Sequence, residues 1–214
     1  MQARSPGNSQ GIDVSHWQGD INWGLVKNND ISFAYIKATE GTDYVDQKFS
    51  KNVREAKKAG ILIGAYHFCT PADIKDSINE ANHYINIVNK YTNFDYLDLP
   101  PVIDIEKNNG LAKNQISKII RTWVDKVEAE TGVQPIIYSY AHFIKDYLDA
   151  SLNNIPLWLA HYDSIKLPDF LPWRHWMFLQ YTDKGQVSGI SGNVDMNEFS
   201  GGKKELNWLC RRQT

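Results

Sequence analysis

Two hydrophobic periods trade places along the first two thirds of the chain. Short runs at residues 11–14, 31–37, 61–68, 101–106 and 135–139 are apolar and rich in β-branched and aromatic side chains, which predicts five strands. Between them the apolar positions recur at helical spacing. Phe49, Val53, Ala56 and Ala59 form one such stripe, stopped by Gly60; Ile74, Ile78, Ala81, Ile85 and Val88 form a second. The clearest runs through Ile116, Ile119, Ile120, Trp123, Val124 and Val127 to Gly132, and a weaker one covers residues 141–148. After about residue 150 the helical pattern fades. Strands are expected at 157–160, 176–181 and around 193–195, joined by loops rich in Pro, Asp and Gly.

Near-continuous apolar strands crossed by amphipathic helices imply a parallel sheet covered on its faces. Eight strand candidates suggest closure into an irregular TIM-like α/β barrel, roughly (β/α)5(β)3, with helices mainly in the first two thirds. A doubly wound open sheet is the alternative. It gives less reason for the polar residues at so many predicted strand ends: Asp13, Lys37, His67, Asp104, Glu106, Tyr138, Gln180 and Asp195. In closed barrels the chemistry gathers at the carboxyl ends of the strands.

The fourth strand carries the strongest chemical signal. Residues 101–106 read Pro-Val-Ile-Asp-Ile-Glu, so Asp104 and Glu106 project from one face with Val102, while Ile103 and Ile105 take the other. Two acids on one face of a buried strand repel each other, and one should hold its proton to an unusually high pH. A proton donor beside an ionised carboxylate is what glycosidic cleavage needs. The plain alternative is a strand end whose acids are solvated or salt-bridged.

Composition narrows the classes. A chain of 214 residues, 42% hydrophobic and 22% charged, is an ordinary soluble protein with room for a sizeable core. A formal net charge of -2 without a clustered basic surface argues against nucleic acid and membrane surfaces, and a monomer is expected. The basic pairs Lys203-Lys204 and Arg211-Arg212 read as solvated tail. No apolar run approaches a membrane span. Residues 1–10 are polar, without the apolar core of a signal peptide, and read as a disordered leader or the scar of a trimmed chain, leaving residues 11–214 as a single catalytic barrel domain. Cys69 and Cys210 either pair or stay as two thiols. No cofactor is expected, and a metal held by the acids is disfavoured because no dedicated loop gathers them.

The segment Gly11-Ile12-Asp13-Val14-Ser15-His16-Trp17-Gln18-Gly19 resembles the opening motif of glycoside hydrolase family 25 lysozymes. Phe33–Gly41, Gly64–Phe68 and Pro101–Glu106 resemble further motifs of that family in order, as do Ile137–Ser139, Leu157–Ala160 and Val194–Asn197. The resemblance runs from about residue 11 to about residue 199. It implies a secreted or phage-borne muramidase cutting the β-1,4 bond between N-acetylmuramic acid and N-acetylglucosamine in peptidoglycan glycan strands. By matching position, Glu106 would be the acid/base and Asp104 its partner carboxylate, with Asp13 and Asp195 completing the acidic cluster. Neighbouring carboxylates would raise Glu106 toward a working pH.

Which group attacks the anomeric carbon stays open among the aspartates. The substrate's own 2-acetamido group, oriented by Asp104, is the leading candidate. Asp13 has a plainer reading as a turn cap. Tyr66, Tyr138, Trp158 and Gln180 fall where the family lines its groove. His67 either bonds a sugar hydroxyl or orients a carboxylate, and Lys37 is a partner for the acids that would lower their pKa. His16 and Trp17 are expected to pack the first loop, and His161 and Tyr162 to border the cleft. Chitin-active glycosidase and inactive binding module are the competing readings.

Overall fold

The computed structural model describes residues 1–162, 167–169 and 172–211. Its elements in chain order are Gln10–Val14 (β1), Trp23–Lys27 (α1), Ile31–Glu40 (β2), Tyr44–Val45 (β3), Phe49–Lys58 (α2), Leu62–Phe68 (β4), Ile74–Tyr91 (α3) and Val102–Asp104 (β5). Lys113–Thr131 (α4), Ile136–Tyr140 (β6), Ala141–Tyr147 (α5), Leu157–Ala160 (β7), Phe178–Gly185 (β8), Val194–Phe199 (β9) and Lys203–Arg211 (α6) follow.

All nine strands belong to one sheet in the order β1-β9-β8-β7-β6-β5-β4-β2-β3, and β1 also pairs with β2. Apart from β3, which folds back on the end of β2, the strands therefore close into an eight-stranded barrel. Five βα units precede three strands without intervening α-helices among the described residues, as the hydrophobic pattern predicted. The parallel expectation fails at one strand: β9 runs antiparallel to both β8 and β1. A short connection, with no crossover helix between Gly185 and Val194, returns the chain in the opposite direction.

Strand parity sorts the side chains into two cores. Phe33, Tyr35, Val102, Ile136, Trp158 and Phe178 fill the barrel interior. Their outward neighbours Ala34, Ile36, Ile103, Ile137, Leu157 and Leu179 pack against the helices. The interior is dense with rings: Tyr35 lies 4.7 Å from Trp158 and 5.4 Å from Phe178, centroid to centroid. Gly64 makes room for them, since a Cβ there would stand 2.2 Å from Tyr35 Cε1 and 3.0 Å from Leu99 Cβ. Outside, Trp123 of α4 packs against Tyr84 of α3 at 5.3 Å. Gly132 ends α4 in the left-handed conformation, with φ of 70°.

Both ends of the chain pack on the barrel. The polar residues 1–10, expected as a disordered leader or a scar, make side-chain contacts with its body. Gln2 Nε2 donates to Trp176 O at 2.8 Å, and Arg4 pairs with Glu198 at 3.1 Å while its guanidinium lies 4.1 Å above the Tyr181 ring. The buried Glu198 carboxylate needs a cation, and Arg4 supplies it. At the other end, residues 203–211 form a helix rather than a solvated tail. Leu206 and Leu209 join the interior cluster beside Met177, Leu62 and Phe199, at the barrel end opposite the strands' carboxyl termini. Lys203 pairs with Asp30 at 2.6 Å. Cys69 and Cys210 are both free. Among the described residues, no helix is long and apolar enough to cross a membrane.

Gly64→Ala should destabilise the fold by about 1–3 kcal/mol, because the ring stack against Tyr35 leaves no direction for relief. Urea unfolding measures it, and a midpoint equal to that of the parent would show that the interior is looser than described.

Candidate active site

β5 ends at Asp104, so Asp104 is held by the sheet while Glu106 stands just past it. The ladder is continued by Ile105, whose N–H donates to Tyr138 O at 3.1 Å. Ile105 faces outward into the helical layer, which turns Asp104 and Glu106 the other way. Asp13 on β1 and Asp195 on β9 are direct cross-strand partners. Registry thus brings acids from three strands to one mouth. They line a cleft of about 290 Å³ together with Lys37, Tyr66, Phe68, Tyr138, Trp158, Tyr162 and Gln180.

A polar network holds Asp13. Gln180 Nε2 donates to Asp13 Oδ2 at 2.9 Å and Asn197 Nδ2 to the same oxygen at 2.7 Å. The amides are themselves oriented. Gln180 Oε1 accepts from Tyr138 Oη at 2.8 Å and Tyr162 Oη at 2.7 Å, and Asn197 Oδ1 accepts from Trp158 Nε1 at 2.8 Å. Trp158, only 2% exposed, is thus cleft floor and donor together. Asp104 differs: its Oδ1 is buried and has no hydrogen-bonding partner among the described residues.

All four acids are pushed above the ordinary carboxylate range, with burial the first cause in each. Asp104 is raised well above it by burial and by the Glu106 and Asp13 charges, against the pull of Lys37. Asp13 is raised by burial and Asp195, while its hydrogen bonds to Asn197 and Gln180 oppose. Asp195 is pushed up to about 6 by burial and Asp183, with the hydrogen bond to Asp13 opposing. Glu106 is raised by burial but held back by Tyr138, Lys107, Asp104 and Lys37. Asp104 and Glu106 titrate as a pair that retains a proton where isolated carboxylates have lost theirs.

Nine of the ten residues singled out as catalytic or substrate-binding line this cleft. His67 does not. It is fully buried on the outward face of β4, stacked 5.7 Å from Trp123, with Nδ1 2.8 Å from Thr39 Oγ1 and Nε2 2.8 Å from Glu80 Oε2. Parity is the reason: Tyr66 and Phe68 point in, so His67 points out. His67, Cys69 and Glu80 place ligand-type atoms within 4.8 Å of one another. Glu80 is already engaged there by His67 and by the Thr70 N–H at 3.0 Å.

Trp17 does not pack the first loop; it stands 81% exposed at the cleft. His16 does hold that loop, through Nδ1 at 2.8 Å from Asp46 Oδ2. Tyr162 borders the cleft, while His161 donates its backbone N–H to Gln180 O at 2.9 Å. Sequence reasoning missed Asn197 and Phe68. Each lies two residues from a cleft residue on its own strand, Asp195 and Tyr66, and that alternation was the available signal.

Three comparisons bear on this arrangement. The profile of Glycosyl hydrolases family 25 matches residues 12–190. Lysozyme M1 of Streptomyces globisporus is 39% identical over 213 residues, taking in 92% of this chain and 69% of that protein. The uncharacterized protein YegX of Escherichia coli (strain K12) is 40% identical over 202 residues, or 92% of this chain and 71% of its own length. Among solved structures, the bacterial lysozyme from Streptomyces coelicolor superposes with a TM-score of 0.86 at 35% identity, covering 98% of this chain and 100% of that one. A match of this extent, over a barrel that gathers four acids at its mouth, places the chain in glycosyl hydrolases family 25 as a glycosidase.

Proposed function

We propose that this glycosidase is a peptidoglycan N-acetylmuramidase acting at the bacterial cell wall, with Glu106 as acid/base and Asp104 as its partner. The observation that carries the reading is the pair at the end of β5, a buried Asp104 and a half-buried Glu106, both of raised proton affinity and lining a sugar-sized cleft. Relatives that bear the name lysozyme support the substrate class.

The chemistry follows from the pair's shared proton. Glu106, the more open of the two, gives its proton to the leaving glycosidic oxygen as the bond breaks. Neutral Glu106 removes the largest like charge acting on Asp104, which can then ionise and accept the N–H of the substrate's 2-acetamido group. The acetamido oxygen attacks the anomeric carbon from within the sugar, forming a cyclic intermediate. Glu106, now ionised, takes a proton from the water that opens it, and the configuration is retained. Asp13, fixed by Gln180 and Asn197, and Asp195 place negative charge near the oxocarbenium-like centre. Tyr66, Tyr138 and Trp158 form the apolar walls against which sugar faces pack, with Gln180 and Lys37 supplying polar contacts.

Glu106→Gln should lower kcat by about 10²–10⁴-fold while glycan binding persists. Turnover within a few-fold of the parent would remove Glu106 from the acid role. Asp104→Asn and de-N-acetylated glycan should each slow turnover by roughly a hundredfold, and together little more than either alone, because both break the same contact. Full additivity in that comparison would separate Asp104 from the acetamido group. The reaction needs one proton on the pair, so kcat/KM should be bell-shaped, falling on the alkaline side as pH rises through the pair's raised pKa and on the acid side as the second proton binds. A pH-rate profile on soluble glycan with its alkaline limb near the ordinary glutamate value of about 4.3 would contradict the pairing.

A further inference from the structure

Two cations stand beside the acid without neutralising it. Lys37 on β2 and Lys107, the residue after Glu106, both lie over the Phe68 ring, with Nζ atoms 4.9 Å and 5.1 Å from its centroid. Lys37 gives one N–H to Glu40 at 2.6 Å, which leaves two of its ammonium donors unassigned. Lys107 is exposed and makes no ion pair among the described residues. Neither lysine is within ion-pair distance of Asp13, Asp104, Glu106 or Asp195. Charge balance in the acidic cluster therefore does not account for their placement. Both also hold back the rise of Glu106, which works against a proton donor when the cleft is empty.

Asp13 and Asp195 stand on the β1–β9 side of the cleft, with Asp183 beyond them on β8; Lys37, paired with Glu40, lines the β2–β4 side with Phe68, and Lys107 lies over the same ring. An anionic glycan approaching four acids is repelled unless its own charge has a defined seat. We propose that Lys37 and Lys107, flanking Phe68, form an anion-recognition wall that seats a carboxylate carried by the muramic residue of the substrate. This inference rests on the muramidase reading of the same cleft. The carboxylate is either that of the lactyl group, free where no peptide is attached, or one borne by an attached stem peptide. Phe68 supplies the apolar floor between the ammonium groups against which the lactyl methyl or peptide stem lies. A seated carboxylate offsets the field of both lysines, so the hindrance they impose on Glu106 protonation is relieved in the complex.

The test compares Lys107→Met and Lys107→Arg with the parent on three substrates: peptide-free glycan strands, the same strands with carboxylates converted to methylamides, and peptide-bearing strands. Lys107→Met should lower kcat/KM on a carboxylate-bearing substrate by roughly tenfold, mainly through KM, with Lys107→Arg restoring most of it. The loss on methylamide strands should be several-fold smaller. The larger loss on peptide-free strands identifies the lactyl carboxylate, and on peptide-bearing strands the stem carboxylate; either supports the wall. Equal losses on charged and methylamide strands would mean that Lys107 acts through Glu106, and the proposal falls. An unchanged Lys107→Met on every substrate overturns it as well. Failure of the parent to cut any of the three would overturn the muramidase reading, and this inference with it.

Discussion

Everything at the mouth of this barrel depends on keeping four carboxylates close together and partly out of water. Such a cluster costs stability, because the groups are desolvated and most of them are repelled by their neighbours. The barrel meets that cost with fixed dipoles rather than with cations. Gln180 and Asn197 donate to Asp13, and their own acceptors are tied down by Tyr138, Tyr162 and Trp158. Tyr138 and Trp158 join Tyr35 and Phe178 in the ring-packed interior, so the orientation of two amides is continuous with the core. Asp104 receives no such help, and that asymmetry separates its chemistry from that of Asp13.

Closure is what brings the acids together. Asp13 and Asp195 are adjacent only because β9 returns antiparallel between β8 and β1, and Glu106 faces them only because the sheet meets itself at the β1–β2 seam. Protonation then becomes a property of the group. Burial lifts all four acids, and repulsion adds to it at Asp13, Asp104 and Asp195, the last pushed up to about 6, so the native state binds protons that the unfolded chain releases. The sign follows: this contribution to stability is present in full below the unfolded carboxylate range and is lost as pH rises through the raised values. A protein tuned in this way gives up stability near neutrality in exchange for a proton donor.

Much of this was legible in the chain. The five βα units follow from the switch between strand and helix periods. The pairing of Asp104 with Glu106 follows from their i, i+2 spacing on a strand whose other face is isoleucine. The misreadings have physical causes. β4 is buried on both faces, so polarity did not reveal that His67 faces the helices, although parity with Ile63 and Ala65 already pointed outward. The direction of β9 depends on the absence of a crossover helix, which a chain rich in loops expresses only weakly. The terminal helix α6 hides its two inward leucines beside basic residues, and the contacts of Arg4 with Glu198 and Tyr181 join the two ends of the chain. Lys107 carried no signal, because its meaning comes from Phe68 on a neighbouring strand.

The most direct measurement is an end-group analysis of peptidoglycan digested by the purified protein, with borohydride reduction of the released fragments and mass spectrometry. Reduced N-acetylmuramic acid at the new ends, lost in Glu106→Gln, is the predicted result. Reduced N-acetylglucosamine at those ends, or no soluble fragments at all, would contradict the account.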